Sequence, residues 1–171
     1  MEKLGLAIGL VLTLGLIDSI NAACPQGWTN MGGSCYIFND EKMTWHDAME
    51  WCKSKGGYLA ELNDKQESDQ LEKVAAGWHV RNITQFEFFW LGAHDEQTEG
   101  VWVWETSQKR LTYTDWYPGE PNSFQGHEED CLALFSLTSF HWVDYECQKL
   151  TNFICESPSS VTSTVASTEG N

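Results

Sequence analysis

Two stretches of the chain concentrate hard oxygen donors. Asp95 and Glu99 lie in AHDEQTEG (93–100), and Glu120, Asn122, Glu128, Glu129 and Asp130 lie in GEPNSFQGHEEDC (119–131), with Asp144 following soon after. Carboxylates and amide carbonyls on irregular chain suit a hard divalent cation. Calcium takes about six to eight oxygens at roughly 2.3–2.6 Å, and loops can wrap it where a helix cannot; magnesium demands a stricter octahedron. Taken in isolation, such a run also reads as a solvated acidic loop. Other chemistries fit poorly. The adjacent acids 128–130 lack the separated acid and base that glycoside hydrolysis needs. Ser123 and Ser136 lie in no nucleophile elbow, and there is no Gly-rich phosphate loop. His46, His79, His94, His127 and His141 are scattered without an HExxH spacing and read as surface or core residues. The chain reads as a binding protein, not an enzyme.

These donors need a scaffold. Residues 24–38, with Gly27, Gly32 and Gly33, suggest a hairpin closed by a local disulfide. Thr44 with Asp47 three residues on makes a capping-box-like helix start. Trp45, Ala48, Met49 and Cys52 recur at helical spacing, and Gly56-Gly57 ends the helix. A second helix is expected over about 64–76, capped by Asn63 or Asp64, with Leu71, Val74 and Ala75 inward and Gly77 as the stop. Short strands are expected at 88–91, 101–104, 111–113, 131–135, 141–144 and 152–155. Helices first and strands later is an α+β pattern. Between them, residues 115–130 form a polar loop with Pro118, Gly119, Pro121 and Gly126; a long loop between core segments reads as functional. The tryptophans, Trp45, Trp90, Trp102 and Trp104 among them, are core by default, while Trp116, Tyr117 and Phe124 flank the loop as candidate contacts for the apolar face of a bound ligand.

The rest of the chain sets the compartment. A 171-residue chain has room for one domain with short appendages. Residues 1–22 read as a secretory signal: a basic start, an apolar run over 4–17, and the small residues Ala22 and Ala23. No later run approaches the roughly 20 apolar residues of a membrane span, so a secreted, extracellular protein is expected. All six cysteines follow the signal, and in an oxidising compartment they read as three bridges with about 15 possible pairings. No CxxC pair points to zinc. The net charge is −15, of which Glu2, Lys3 and Asp18 account for −1, leaving −14 after the signal. Such a field repels nucleic acid and attracts divalent cations. Residues 157–171, rich in Ser and Thr, read as a flexible tail. Asn82-Ile83-Thr84 is an N-glycosylation acceptor.

Over 24–156 the motifs together resemble the C-type lectin domain. Trp90-Leu91-Gly92 looks like its WIGL element and Glu120-Pro121-Asn122 its EPN sugar motif. Glu129-Asp130-Cys131 follows at nearly the expected distance, and Trp142-Val143-Asp144 takes the place of WND. The resemblance implies a fold of two helices flanking small antiparallel sheets, with a long calcium-binding loop and three disulfides. The implied bridges pair Cys24 with Cys35, Cys52 with Cys155, and Cys131 with Cys147. It implies a principal calcium site, which is also the carbohydrate site, at Glu120, Asn122, Glu129 and Asp144, with Pro121 in the cis form. An auxiliary calcium site would draw on Asp95, Glu99 and Asp130, sharing Glu129.

In such a site two sugar hydroxyls bind the ion while carboxylate ligands accept, and amide ligands donate, their hydrogen bonds. The Glu-Pro-Asn order is of the mannose type. Two departures matter: the second amide ligand of the family is Val143 here, and the acid expected after the asparagine is Ser123. Five protein oxygens remain if Asp144 contributes twice, and two hydroxyls or waters complete about seven. The resemblance implies a secreted lectin for mannose-type or related glycans on microbial surfaces, acting in innate defence. Its low valency would call for a homo-oligomer. The competing expectation is a C-type lectin-like domain without sugar binding, serving as a protein-, ice- or mineral-binding module, as in perlucin-like shell-matrix proteins.

Overall fold

The computed structural model describes residues 22–81 and 86–161. Asn82, most of the expected signal and the end of the expected tail lie outside them. The elements run β1 (Ala22–Ala23), β2 (Thr29–Met31), β3 (Ser34–Met43), α1 (Trp45–Ser54), β4 (Tyr58–Leu59), α2 (Lys65–Arg81), β5 (Phe88–His94), β6 (Val103–Trp104), β7 (Cys131–Phe135), β8 (Trp142–Tyr145), β9 (Thr151–Pro158) and β10 (Ser160–Val161). Eight strands form one sheet along the path β2-β3-β9-β5-β7-β8, with β4 on β9 and β6 on β5; β1 and β10 pair separately. Among the described residues every pairing between strands is antiparallel except β5 with β9, which run parallel through Phe89–Asn152 and Trp90–Phe153. The expected small antiparallel sheets are therefore one mixed sheet plus a two-residue ladder. Strand-pairing polarity depends on how the termini meet across the fold, which local patterns do not encode.

Both helix starts form at the expected caps. Thr44 Oγ1 accepts from the Asp47 amide at 3.2 Å, and Asp64 Oδ1 accepts from the Glu67 amide at 2.9 Å. The second helix passes through Gly77 to Arg81, five residues past its expected end. Glycine weakens a helix by roughly 1 kcal/mol against alanine but blocks nothing sterically. Residues 111–113 make no strand, although the Leu111 amide bonds the Trp102 carbonyl at 3.3 Å. The last long strand runs to Pro158, past the boundary expected at 156, and Ser160–Val161 lie beside Ala22–Ala23.

Side chains alternate between two packed faces. Phe89, Leu91, Ala93, Leu132, Leu134, Trp142 and Ile154 meet Leu71 and Ala75 of α2. Trp90, Cys131, Ala133, Val143, Phe153 and Cys155 meet Trp45, Ala48 and Cys52 of α1. With a helix on each face, β5 and β9 are buried along almost their whole length, so β5 reads as an apolar run and not as alternation, while β9 also buries Thr151, Asn152, Glu156 and Ser157. Gly92 is required by close approach: a Cβ there would sit 2.5 Å from the Leu59 carbonyl oxygen. Three disulfides staple the frame: Cys24–Cys35 on the N-terminal hairpin, Cys52–Cys155 from α1 to β9, and Cys131–Cys147 below the loop.

Candidate functional site at the loop edge

Among the named strands β8 ends the sheet path, and the loop 115–130 folds against it. The Trp142 amide donates to the Asp115 carbonyl at 3.0 Å and the Tyr117 amide donates to the Trp142 carbonyl at 2.8 Å, so the stem of the loop behaves as a short ninth rail of the sheet. From there the Glu120 amide closes a turn onto Tyr117, and the Glu120–Pro121 peptide is cis. Asp144, at the end of β8, gathers the loop: its Oδ2 accepts from the amides of Asn122 at 2.7 Å and Ser123 at 2.8 Å. Glu129 Oε2 accepts from the Phe124 amide at 2.6 Å, and Asn122 Nδ2 donates to Glu120 Oε2.

Glu120, Asn122, Glu129 and Asp144 thereby line one open cavity of about 230 Å³, with Phe88, Phe124, Phe135, Val143 and Tyr145 as its apolar wall. The polar corner is short of cations. Burial, then the Asp144 carboxylate and then Glu129, push the Glu120 carboxyl up to about 8. Burial likewise raises Glu129, against the relief given by the Phe124 amide. Asp144 Oδ1 is buried and has no hydrogen-bond partner. A half-buried acid cluster with an orphan carboxylate oxygen is what a hard cation would complete, and the all-oxygen donor set fits calcium.

A second acidic group stands beside it. Carboxylate oxygens of Asp95, Glu99 and Asp130 lie within 4.8 Å of one another. Asp95 Oδ2 accepts from the Gly100 amide at 2.7 Å, while its Oδ1 is buried without a partner. Burial, together with the charges of Glu99, Asp130 and Asp144, lifts the Asp95 carboxyl to about 6. Glu129, expected to be shared, is not in this trio; its Oε2 accepts from the Phe124 amide and the side chain lines the cavity.

The aromatic expectations divide. Phe124 is exposed and lines the cavity, whereas Trp116 packs edge-on against Trp102 and Trp142 and lines a separate groove of about 400 Å³ behind Pro121. Phe88 and Phe135, expected as strand residues, and Tyr145, just past an expected strand, wall the cavity: Phe88 stacks on both neighbours with ring centroids 4.2 Å apart. Their position at strand ends beside the acidic loop was the available signal. Val143 fills the place of the expected amide with a buried methyl surface.

A disulfide-stapled α+β domain whose long loop gathers oxygen donors at a sheet edge defines a loop-based binding module. The lectin C-type domain model matches residues 41–157, and the chain belongs to the C-type lectin domain family. The family is in general one of binding domains and not of enzymes, and its members generally bind calcium. Perlucin of Haliotis laevigata is 38% identical over 134 residues, spanning 78% of this chain and 82% of perlucin. The mouse scavenger receptor C-type lectin carbohydrate-recognition domain superposes with a TM-score of 0.70 at 30% identity, covering 81% of this chain and 100% of that domain. A calcium-independent type II antifreeze protein superposes with a TM-score of 0.67 at 26% identity, covering 81% and 96%. No described helix is long and apolar enough to cross a membrane.

Proposed function

We propose that this chain is a secreted, calcium-dependent carbohydrate-binding protein that holds mannose-type sugars, such as those on microbial surfaces, at Glu120, Asn122, Glu129 and Asp144. The observation that carries the reading is the convergence of these four oxygen-bearing side chains on one cavity, with Asp144 Oδ1 buried and unpartnered. Calcium would supply the positive centre on which two sugar hydroxyls rest. Around it Glu120 and Glu129 would accept hydrogen bonds from the hydroxyls, and the Asn122 amide would donate one to a hydroxyl oxygen. Val143 offers neither, so one hydroxyl lacks its amide partner, a loss of about 0.5–1.5 kcal/mol unless water replaces it. The ring stack of Phe88, Phe135 and Tyr145 gives the sugar's C–H face an apolar wall. Asp95, Glu99 and Asp130 would hold an auxiliary calcium. The domain spans 24–156 with a tail over 157–171, residues 1–22 are removed on export, and Asn82 carries an N-glycan.

The test is a glycan array with calcium and with chelator. Chelator-sensitive binding of mannose-type glycans is the expected result; binding that ignores the chelator, or none at all, refutes the reading. One observation favours a second reading, a calcium-independent protein-, ice- or mineral-binding module. The wall at Val143 is apolar where an amide is expected, and the likeness extends to an antifreeze protein described as calcium-independent.

A further inference from the structure

A third polar cluster lies away from the loop acids. Glu72 of α2, Asp115 at the stem of the loop and His141 just before β8 bring two carboxylate oxygens and an imidazole nitrogen within 4.8 Å of one another. All three are partly buried. The positions are fixed from outside the cluster. Ser68 Oγ donates to Glu72 Oε1 at 3.0 Å, and the Asp115 carbonyl accepts from the Trp142 amide at 3.0 Å, which locks the Asp115 and His141 backbones side by side. His141 Nδ1 lies 2.8 Å from Asp115 Oδ2.

We propose that Glu72, Asp115 and His141 form a site for a divalent transition-metal ion of the zinc type, distinct from the loop acids. One imidazole with two carboxylates is a donor set for zinc and its neighbours, while calcium and magnesium take oxygen alone. The spacing is right. Ligands about 2.05 Å from a tetrahedral ion lie about 3.3 Å apart, a separation inside the 4.8 Å within which these three atoms already stand, and water would take the fourth position. Charge agrees. Two carboxylates stand together at this spot, and a dication between them would offset their mutual repulsion. The ion would staple α2 to the stem from which Glu120 is presented.

The experiment is equilibrium dialysis of the full chain against zinc in saturating calcium, repeated with His141→Ala, Glu72→Gln and, as a control, His46→Ala, whose imidazole faces Glu96 at 3.2 Å. One zinc per chain is expected. Outer partners of metal ligands are already worth about 10–100-fold in affinity, so losing His141 should cost more than about 100-fold, and Glu72→Gln, which keeps the side-chain shape, should weaken binding similarly. His46→Ala should leave it unchanged. In the unaltered chain, zinc should shift the ring resonances of His141, a readout that needs no variant to fold. Zinc retained in both substituted chains, zinc lost in His46→Ala, or unmoved His141 resonances would overturn the site. Because calcium is saturating throughout, failure here leaves the sugar site untouched, and failure of the glycan array leaves this site standing.

Discussion

Val143→Asn restores the amide that the loop edge lacks, and its two effects have opposite signs. Val143 is 6% exposed and packs against Ala133 across the strand pair and against the α1 face. Trading its methyls for an amide removes about two buried carbons, worth about 0.8 kcal/mol each, so the calcium-free protein should lose about 1–2 kcal/mol. For a domain of this size that is roughly 3–8 °C of melting temperature. The gain comes with ligand. The carboxamide adds one oxygen toward the ion and one N–H toward a sugar hydroxyl, and a net 0.5–1.5 kcal/mol for that hydrogen bond corresponds to about 2- to 12-fold tighter sugar binding. Isothermal titration of both proteins with a mannoside, in saturating calcium and in chelator, measures it. A folded Val143→Asn protein with unchanged or weaker calcium-dependent sugar affinity would show that position 143 does not face the ligand.

Other outcomes follow from the same geometry. Glu120 and Asp95 have folded pKa values of about 8 and about 6, above their ordinary values near 4.5 and 3.8. Their folded forms bind protons more tightly, so the stability they contribute is full below the ordinary values and is lost as pH rises through the folded ones. In chelator the melting temperature should therefore fall between pH 5 and pH 8.5, and calcium should flatten the fall; a rise in chelator refutes the cluster. Asp144→Ala leaves the amides of Asn122 and Ser123 without their acceptor, at a cost of about 1–3 kcal/mol, and should abolish calcium-induced stabilisation in thermal melts. Gly92→Ala drives a Cβ to 2.5 Å from the Leu59 carbonyl oxygen and should destabilise by about 1–3 kcal/mol in denaturant titrations. Replacing Cys52 and Cys155 by Ala opens a loop of 103 residues and should cost up to about 4.7 kcal/mol, against about 3 kcal/mol for Cys24 with Cys35, separated by 11.

What was legible in the chain was what short-range chemistry dictates. Thr44 and Asp64 cap helices because their side-chain oxygens meet amides three residues on, a relation contained in the local sequence. The acids of 120–130 announced a cation-seeking loop by type and density, and the ordered motifs around them pointed to the family. Cysteine counting alone left the bridges open, and only the resemblance pointed to the pairs that the fold joins.

The tertiary structure decided whatever depends on which surfaces meet. Strands β5 and β9 run parallel and are buried on both faces because α1 and α2 cover opposite sides of one sheet, a fact with no local signature. Trp116 and Phe124 both flank the loop in sequence; packing sends the first to Trp102 and Trp142 and leaves the second on the cavity. Phe88 becomes a cavity wall only because β7 and the end of β8 carry Phe135 and Tyr145 to its two faces. Glu72 and His141, unremarkable in sequence, become neighbours only when α2 lies under the stem of the loop. Residue types set what chemistry is available to this protein, and long-range packing, which no window of sequence contains, chose which of those residues stand together.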